Sequence, residues 1–352
     1  MFATAVLTAA VLFCGSGIRA SAATPPRNVI LVIGDGMGRG SYDLASMRAH
    51  GETGRLFMQS LPVSGLCRTY SADSVVTDSA ASATAIACGV KTNNGMLGMM
   101  PDGAHAQSVA VYAQKLGKSV GLVTSDAIQG ATPSGFYAHR PKRSDYEAIT
   151  EDMTECGFEI IAGNIDSRHF ITNHTGKLEL NGYVLAESPA EFAAAPADAK
   201  VIGLISDKHF HQDEMSLAEL AKTAVSRLEN AGANGFFLMV ESAYPDFGGH
   251  NNDAGLSFKG VMHADNTVKA AVDYAATRGD TLVIVTADHE TGGLVVMRNP
   301  SDSKKPFYNF HTGHHTGEAV PIYAYGPGAE QFSGVIDNTE ICLRIKKLWD
   351  SD

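Results

Sequence analysis

Three apolar runs, each followed directly by an acidic residue, constrain the fold of this 352-residue chain more than any other feature. Residues 29–34 precede Asp35, residues 236–240 precede Glu241, and residues 282–287 precede Asp288. Continuous apolar runs of this length are typical of strands that are buried on both faces of a parallel sheet. In such sheets ligands bind at the carboxyl ends of the strands. The sequence therefore predicts that three carboxylates meet at one edge of a sheet.

Strand and helix signals alternate along the rest of the chain. Residues 118–124 and 201–205 predict two further strands. Helical patterns predict helices at about residues 106–117, 145–155, 216–230, 257–277 and 338–348. This alternation predicts an α/β fold, a three-layer sandwich in which a large, mostly parallel central sheet is flanked by helices. Residues 185–200, with three alanines between two prolines, predict an excursion on the surface.

The net charge of the chain argues against some classes of binding partner. The formal net charge of −11, from 38 acidic and 27 basic residues, argues against nucleic acid or an anionic membrane as a partner. The overall field also repels small anions, so affinity for phosphate has to come from a local arrangement of residues.

The first 23 residues are typical of a secretory signal peptide that is cleaved from the mature protein. The apolar run from Ala3 to Phe13 is too short to span a bilayer, and Ala20-Ser21-Ala22 offers a cleavage site between small residues. No Lys or Arg precedes the apolar run, so an uncleaved anchor stays open as the alternative. We expect a secreted or periplasmic protein without stable membrane insertion, in which residues 24–352 form a single domain.

Four cysteines remain after this cleavage, at positions 67, 88, 156 and 342. An oxidising compartment permits disulfides among them, with three pairings open. No CxxC motif occurs, which argues against a thiolate metal site.

Ser79 is the candidate nucleophile. It follows Asp78 and precedes a run of small residues, a pattern that predicts the tightly packed start of a helix. The first turn of a helix has free backbone N–H groups, and its dipole favours an anion there. The alternative is that Asp78 and Ser79 only cap the helix.

Histidines and carboxylates accompany the ends of the strands. Asp246 and His250 follow Glu241, and His289 follows Asp288 directly. Imidazole nitrogen together with carboxylate oxygen is a ligand set that suits zinc. Other histidines are expected to be structural or to lie on solvated loops: His139, His169, His263, His209 and His211.

Seven short segments, in this order along the chain, resemble the alkaline phosphatase family. They are IGDGMG at 33–38, VTDSAAS at 76–82, GATP at 130–133, Val240-Glu241, Asp246 with His250, TADHET at 286–291, and HTG at 315–317. The resemblance extends over about residues 28–345. It implies an alkaline-phosphatase-like sandwich that hydrolyses small-molecule phosphate monoesters through a phosphoserine on Ser79.

The resemblance also implies two zinc ions and one magnesium ion, with three ligand sets. They are Asp246, His250 and His315 for one zinc, Asp35, Asp288 and His289 for the other, and Asp35, Thr132 and Glu241 for magnesium. All-oxygen ligands suit the harder magnesium ion. A zinc beside a serine stabilises its alkoxide at workable pH.

Arg143 is the implied phosphate-binding arginine, since it stands eleven residues after Thr132 as the family's arginine does. A guanidinium fork matches two phosphate oxygens, although a surface arginine is the alternative.

His315, rather than His311 or His314, is the implied zinc ligand, because it stands eleven residues before Gly326. Only 25 residues separate His289 from His315, so residues 290–314 are expected to form a shortened version of the family's insertion. The resemblance further implies a homodimer.

Two positions depart from the family pattern. Gly130 stands where family members often have Asp or His, so we expect a magnesium site that water completes and that binds less tightly. Glycine at that position could instead be required by the backbone. Phe247 stands where polar residues or Trp are frequent.

Two alternatives to monoester hydrolysis remain. Related branches of the superfamily hydrolyse phosphodiesters, sulfate esters or phosphonates, but Ser79 together with Thr132 and Glu241 favours monoesters. A non-catalytic secreted protein that binds phosphate or metal would be expected to lack a ligand or the nucleophile, and only the Gly130 position is changed.

Overall fold

A large central sheet positions every functional element of the structure. The computed structural model describes residues 25–164, 168–205, 216–302, 305 and 307–351. Within these residues the sheet has ten strands, in the spatial order β14-β2-β13-β8-β1-β7-β3-β4-β6-β5. The strands are β1 Asn28–Gly34, β2 Val63–Arg68, β3 Ser119–Ala127, β4 Ile160–Asn164, β5 Tyr183–Ala186, β6 Lys200–Ile205, β7 Phe236–Ser242, β8 Thr281–Ala287, β13 Val320–Tyr325 and β14 Gly334–Asp337.

Helices and two small ribbons complete the described part of the chain. The helices are α1 Arg39–His50, α2 Ser79–Cys88, α3 Val109–Lys115, α4 Ala131–Ser134, α5 Tyr146–Glu155, α6 Arg168–Leu180, α7 Pro189–Ala194, α8 Leu217–Ala231, α9 Tyr244–His250, α10 Ala254–Arg278 and α11 Thr339–Trp349. The ribbons pair β9 Glu290–Thr291 with β12 His315–Thr316, and β10 Val295–Met297 with β11 Phe307–Asn309. The five predicted strands and the five predicted helices are confirmed, with bounds that shift by a few residues.

The register of the central strands brings the predicted carboxylates together. Strand β1 lies between β7 and β8 and pairs in parallel with both. Gly34 is opposite Ser242 on one side and Ala287 on the other. Asp35 and Asp288 therefore leave neighbouring strands at the same level, and Glu241, which is opposite Ile33, lies two residues before that level on β7.

Both faces of the sheet are covered by helices, as the apolar runs predicted. Successive residues of a strand point to opposite faces. The ring of Phe236 contacts Tyr274 of α10, whereas that of Phe237 contacts Phe136 and Trp349 of α11. The mostly parallel three-layer sandwich is confirmed.

Two features of the sheet differ from the predictions. Strand β13 runs antiparallel to both of its neighbours, which apolar content alone does not indicate. Residues 185–200, predicted as a surface excursion, are mostly exposed or half-buried, but this stretch also contains the end of the edge strand β5 and helix α7. Ser188 caps α7, and Phe192 is fully buried beneath it.

Some predictions fall outside the described residues: the signal peptide at 1–23, and His209 and His211. The side chain of His169 is also outside them. No described helix is both long and apolar enough to cross a membrane. The four remaining cysteines are free thiols, and Cys67, Cys88 and Cys342 are buried.

Candidate active site

Ser79 is the first residue of α2, and its position follows from local capping. The side chain of Asp78 caps the helix by accepting a hydrogen bond from the backbone of Ala81 at 2.9 Å. Small side chains allow all ten residues of α2 to be buried. Ser79 is 3% exposed, and its Oγ lies 3.2 Å from Nε2 of His289.

Asp35, Asp288 and His289 form one group of close ligand atoms at the ends of β1 and β8. Nε2 of His289 lies 3.4 Å from Oδ1 of Asp35 and 3.2 Å from Oδ2 of Asp288. The other oxygen of Asp288 accepts hydrogen bonds from the backbone of Gly36 at 3.1 Å and of His289 at 2.9 Å. The loops after both strands are thereby held against each other.

Asp246, His250 and His315 form a second group. Asp246 and His250 lie four residues apart on α9, so they share one face of that helix. Nε2 of His315 lies 3.5 Å from Asp246 and 3.2 Å from Nε2 of His250, and the latter nitrogen lies 3.4 Å from Asp246. His289 also lies within reach of Asp246 and His315, so the two groups are adjacent.

Backbone and hydroxyl partners fix the orientation of all three imidazoles. Nδ1 of His250 lies 2.8 Å from the carbonyl of Gly313, and Nδ1 of His315 lies 2.9 Å from that of Thr77. A carbonyl only accepts, so both Nδ1 atoms carry the proton. The Thr291 hydroxyl donates to Asp246 and therefore accepts from Nδ1 of His289, at 3.1 Å.

In the neutral form of each ring, the Nε2 lone pair therefore faces the other Nε2 atoms and the neighbouring carboxylates. Such an arrangement is unfavourable unless a cation lies between the ligand atoms, and a second partner on the other ring nitrogen is usual for metal-binding histidines. The two mixed Asp/His sets fit zinc in their donor chemistry.

Glu241, Thr132 and Asp35 supply a third, all-oxygen set. The hydroxyl of Thr124 donates to Glu241, and that of Thr132 is close enough to lower the pKa of the same carboxyl. Among the buried oxygens that lack a hydrogen-bond partner within the described residues, three belong to this site: Asp35 Oδ1, Asp288 Oδ2 and Thr132 Oγ1. Unpaired buried oxygens at this position fit a hard divalent ion such as magnesium.

The electrostatics of the site point the same way. Burial, then the charge of Asp126, raises the pKa of Glu241 to about 8, and burial with the charge of Asp246 raises that of Asp288 to about 7. Burial and neighbouring carboxylates also raise the pKa of Asp35, while burial and His315 lower that of His289 to about 3. Carboxylates this close repel each other, so positive charge is required to keep them ionised.

Arg143 lies at the mouth of the site. Its guanidinium is 3.3 Å from the Asp78 carboxylate, next to Ser79, and its backbone donates to the carbonyl of Gly95 at 2.8 Å. Burial lowers the pKa of Arg143, but the charges of Asp78 and Asp35 outweigh that effect and raise it. Asp78 thus both caps α2 and holds the arginine beside the serine.

The described histidines that were predicted to be structural lie outside the two groups. His139 stacks on His105, and His263 contacts Tyr244 beneath α10. His311 and His314 are exposed, which leaves His315 as the histidine of this loop that contacts Asp246. Phe247 packs its ring on Tyr244.

The sequence analysis did not identify three polar residues around these groups: Asp78 as the partner of Arg143, Asp126 near Glu241, and Thr291. A signal was present for Thr291, which lies two residues after His289 at the end of the TADHET segment. No sequence signal identified Asp126, because the position of its side chain depends on the register shift at the end of β3.

Comparisons with known proteins agree with this geometry. The profile of the family described as Alkaline phosphatase matches residues 26–173, 183–309 and 298–350. The chain belongs to the alkaline phosphatase family. Alkaline phosphatase 3 of Bacillus subtilis (strain 168) is 30% identical over 91% of this chain and 88% of its own length.

Solved structures of alkaline phosphatases have the same fold. The enzyme from the Antarctic bacterium TAB5 is 31% identical, with a TM-score of 0.84 over 94% of this chain and 99% of its own. A variant of that enzyme, 29% identical with a TM-score of 0.83 over the same shares, has Mg bound. As a member of this family the chain is an enzyme of the phosphoric monoester hydrolase class.

Proposed function

We propose that this alkaline phosphatase hydrolyses phosphate monoesters through a phosphoserine intermediate on Ser79, with two zinc ions, one magnesium ion and Arg143. The observation that carries the proposal is the convergence of three histidine Nε2 atoms with Asp35, Asp246 and Asp288, next to the Ser79 hydroxyl that lies 3.2 Å from Nε2 of His289. The three ligand sets are Asp246, His250 and His315; Asp35, Asp288 and His289; and Asp35, Thr132 and Glu241.

Residues of the chain account for binding and orientation of the substrate. The Arg143 guanidinium, held by Asp78, offers two parallel donors to phosphate oxygens. The N-terminus of α2 adds backbone N–H groups and a favourable dipole on the same side. The ester phosphorus is thereby held in front of Ser79 Oγ.

Ser79 then attacks phosphorus, the ester oxygen leaves with the alcohol, and the phosphoserine is later cleaved by water. Bound metal ions would supply positive charge that stabilises the serine alkoxide and the leaving oxygen. His289 lies 3.2 Å from Ser79 and is held neutral by burial, so its Nε2 keeps a free lone pair for a metal.

Purified protein assayed on p-nitrophenyl phosphate and on its bis-ester, before and after chelation, tests the proposal. We expect the monoester to be cleaved faster, and activity to be lost on chelation and regained with zinc and magnesium. Ser79→Ala should abolish both turnover and the acid-stable phosphoenzyme, whereas the exposed Ser226→Ala should retain them. Faster cleavage of the bis-ester would contradict monoesterase function.

We also propose export through residues 1–23 and assembly as a homodimer. The dimer rests on family membership and on exposed apolar residues at one sheet edge, where Leu66 is opposite Val335. Light scattering at micromolar concentration tests the mass, and a monomeric value would contradict the dimer. N-terminal sequencing of the exported protein tests the cleavage.

A further inference from the structure

Asp126 is a carboxylate beside the all-oxygen set that no motif of the sequence assigned. It lies near the end of β3, where pairing with β4 shifts register between Val123 and Ala127. Thr124, two residues earlier, is directly opposite Glu241 of β7. The irregular end of β3 therefore passes beside the Glu241 carboxylate.

Hydrogen bonds connect Asp126 to that carboxylate through one residue. The backbone N–H of Asp126 donates to the Thr124 hydroxyl at 2.8 Å, and this hydroxyl donates to Glu241. Two acidic residues that are connected through a single hydroxyl favour a cation beside them.

The side chain of Asp126 occupies the space that a side chain at position 130 would need. A Cβ added to Gly130 would lie 2.5 Å from Oδ2 of Asp126 and 2.9 Å from the carbonyl of Ala127. The φ angle of Gly130 is −53°, which any residue adopts. Glycine at this position is therefore explained by the space that the Asp126 carboxylate and the Ala127 carbonyl occupy, and not by the φ angle.

A separate observation indicates that the space serves a ligand. The Thr132 hydroxyl, two residues after Gly130, is 1% exposed and has no hydrogen-bond partner within the described residues. Buried hydroxyls are nearly always paired, so its oxygen is available to a cation.

We propose that Asp126 is a positioning residue of the cation site formed by Asp35, Thr132 and Glu241, and does from β3 what a side chain at position 130 would do. This proposal rests on the third metal site of the proposed function. Magnesium retains several waters when it binds to proteins, and the partly exposed Asp126 carboxylate accepts their hydrogen bonds. The site then keeps an outer-shell carboxylate despite the glycine at position 130.

Calorimetric titration of the zinc-loaded, magnesium-free protein with MgCl2, without substrate, measures the effect. Asp126→Asn keeps the shape of the side chain and should weaken magnesium binding about 10- to 100-fold, the usual effect of losing an outer-shell partner. Asp102→Asn is the matched control, because Asp102 is an exposed aspartate in a turn. The magnesium affinity of this variant should equal that of the wild type. Equal affinity of Asp126→Asn and wild type would overturn the proposal.

Exchanging the two positions separates this role from a purely structural one. Gly130→Asp alone should weaken magnesium binding, because its side chain competes with Asp126 for the same space. Asp126→Ala with Gly130→Asp should recover affinity to within a few-fold of wild type. A double variant that binds no better than Asp126→Ala would overturn the proposal, with circular dichroism showing that both are folded.

The proposed function can fail independently of this inference. If Ser79-dependent monoesterase activity were absent while Asp126→Asn still weakened magnesium binding, only the proposed function would be wrong. A wild-type protein that binds zinc and cleaves monoesters but takes up no magnesium would overturn the inference and the magnesium part of the proposed function, and would leave Ser79-dependent monoester hydrolysis intact.

Discussion

At the residue scale, Thr291 links the two groups of ligands. Its single hydroxyl donates to Asp246 of one group and accepts from His289 of the other. Both contacts are buried, and together they fix which nitrogen of His289 is free to bind a metal. The orientation of one ligand set therefore depends on the other through one side chain.

Thr291→Val removes this link while keeping the shape of the side chain. We expect zinc affinity to fall about 10- to 100-fold, because outer-shell partners orient the ligands. Competition with a chromophoric chelator measures it, with Thr277→Val on the exposed surface of α10 as the control. Wild-type zinc affinity in Thr291→Val would show that the hydroxyl does not orient His289.

Arg143→Ala should raise KM and weaken inhibition by inorganic phosphate, with zinc content unchanged. The guanidinium lies beside Ser79 and contacts Asp78, but no ligand set includes it. Initial rates against added phosphate test this, and Lys142→Ala, which removes the neighbouring exposed cation, is the control. An unchanged inhibition constant would reassign Arg143 to the surface.

Residue identity and order were sufficient to predict the ligand candidates but not the residues that orient them. Asp35, Glu241 and Asp288 follow apolar runs, and this pattern can be recognised in the amino-acid sequence. Thr77 and Gly313 act through backbone carbonyls. Every residue has such a carbonyl, so the residue type does not indicate which one contacts a histidine. Asp126 could not be assigned because a register shift in β3 decides where its side chain lies.

At the element scale, helix α9 carries two ligand candidates and lies unusually close to α10. A Cβ added to Gly248 would be 2.4 Å from the backbone nitrogen of Ser257, and one added to Gly260 would be 2.3 Å from Pro245. These glycines allow the backbones to approach, and the approach sets the position of Asp246 and His250.

Gly248→Ala should therefore displace α9, lower zinc affinity and destabilise the fold by about 1–3 kcal/mol, the usual cost of overpacking. Zinc titration and denaturant unfolding measure the two effects. Gly176→Ala is the matched control, since a Cβ on that helical glycine of α6 meets open space. Similar behaviour of the two variants would mean that α9 can shift without disturbing the ligands.

Strands with continuous apolar runs could be predicted from the sequence, whereas the short elements at the edge of the sheet could not. Strands β1, β7 and β8 are buried on both faces, so their composition is unambiguous. The edge strand β5 has four residues, of which only the first and the last are buried, and α7 has six residues, too few for a periodic signal. The direction of β13 depends on its connection to β12, and the residue types of β13 do not indicate that direction.

At the scale of the whole molecule, the buried carboxylates link stability to metal and pH. In the metal-free protein the pKa of Glu241 is raised to about 8 and that of Asp288 to about 7, mainly by burial. The folded chain then binds more protons than the unfolded chain between about pH 4 and 8. The free energy of unfolding must fall as pH rises through this window.

Chelated protein should therefore lose stability between pH 5 and pH 8, by at most about 1.4 kcal/mol per pH unit for each such group. Metal-loaded protein is the control and should not show this decline, because bound cations keep the carboxylates ionised. Urea unfolding of both forms across the range measures it. Parallel curves would mean that the carboxylates are not compensated by metal.

The order of the central strands has a consequence for biosynthesis. Strand β1 lies between β7 and β8, although more than 200 residues of chain separate it from either one. Contacts between such distant segments close late in folding because of their entropic cost. During synthesis Asp35 at the end of β1 and Ser79 of α2 are made early, whereas His315 is made only near the end of translation. We therefore expect the proposed metal sites to be completed only after synthesis, so that the cations available where folding finishes determine how much enzyme becomes active.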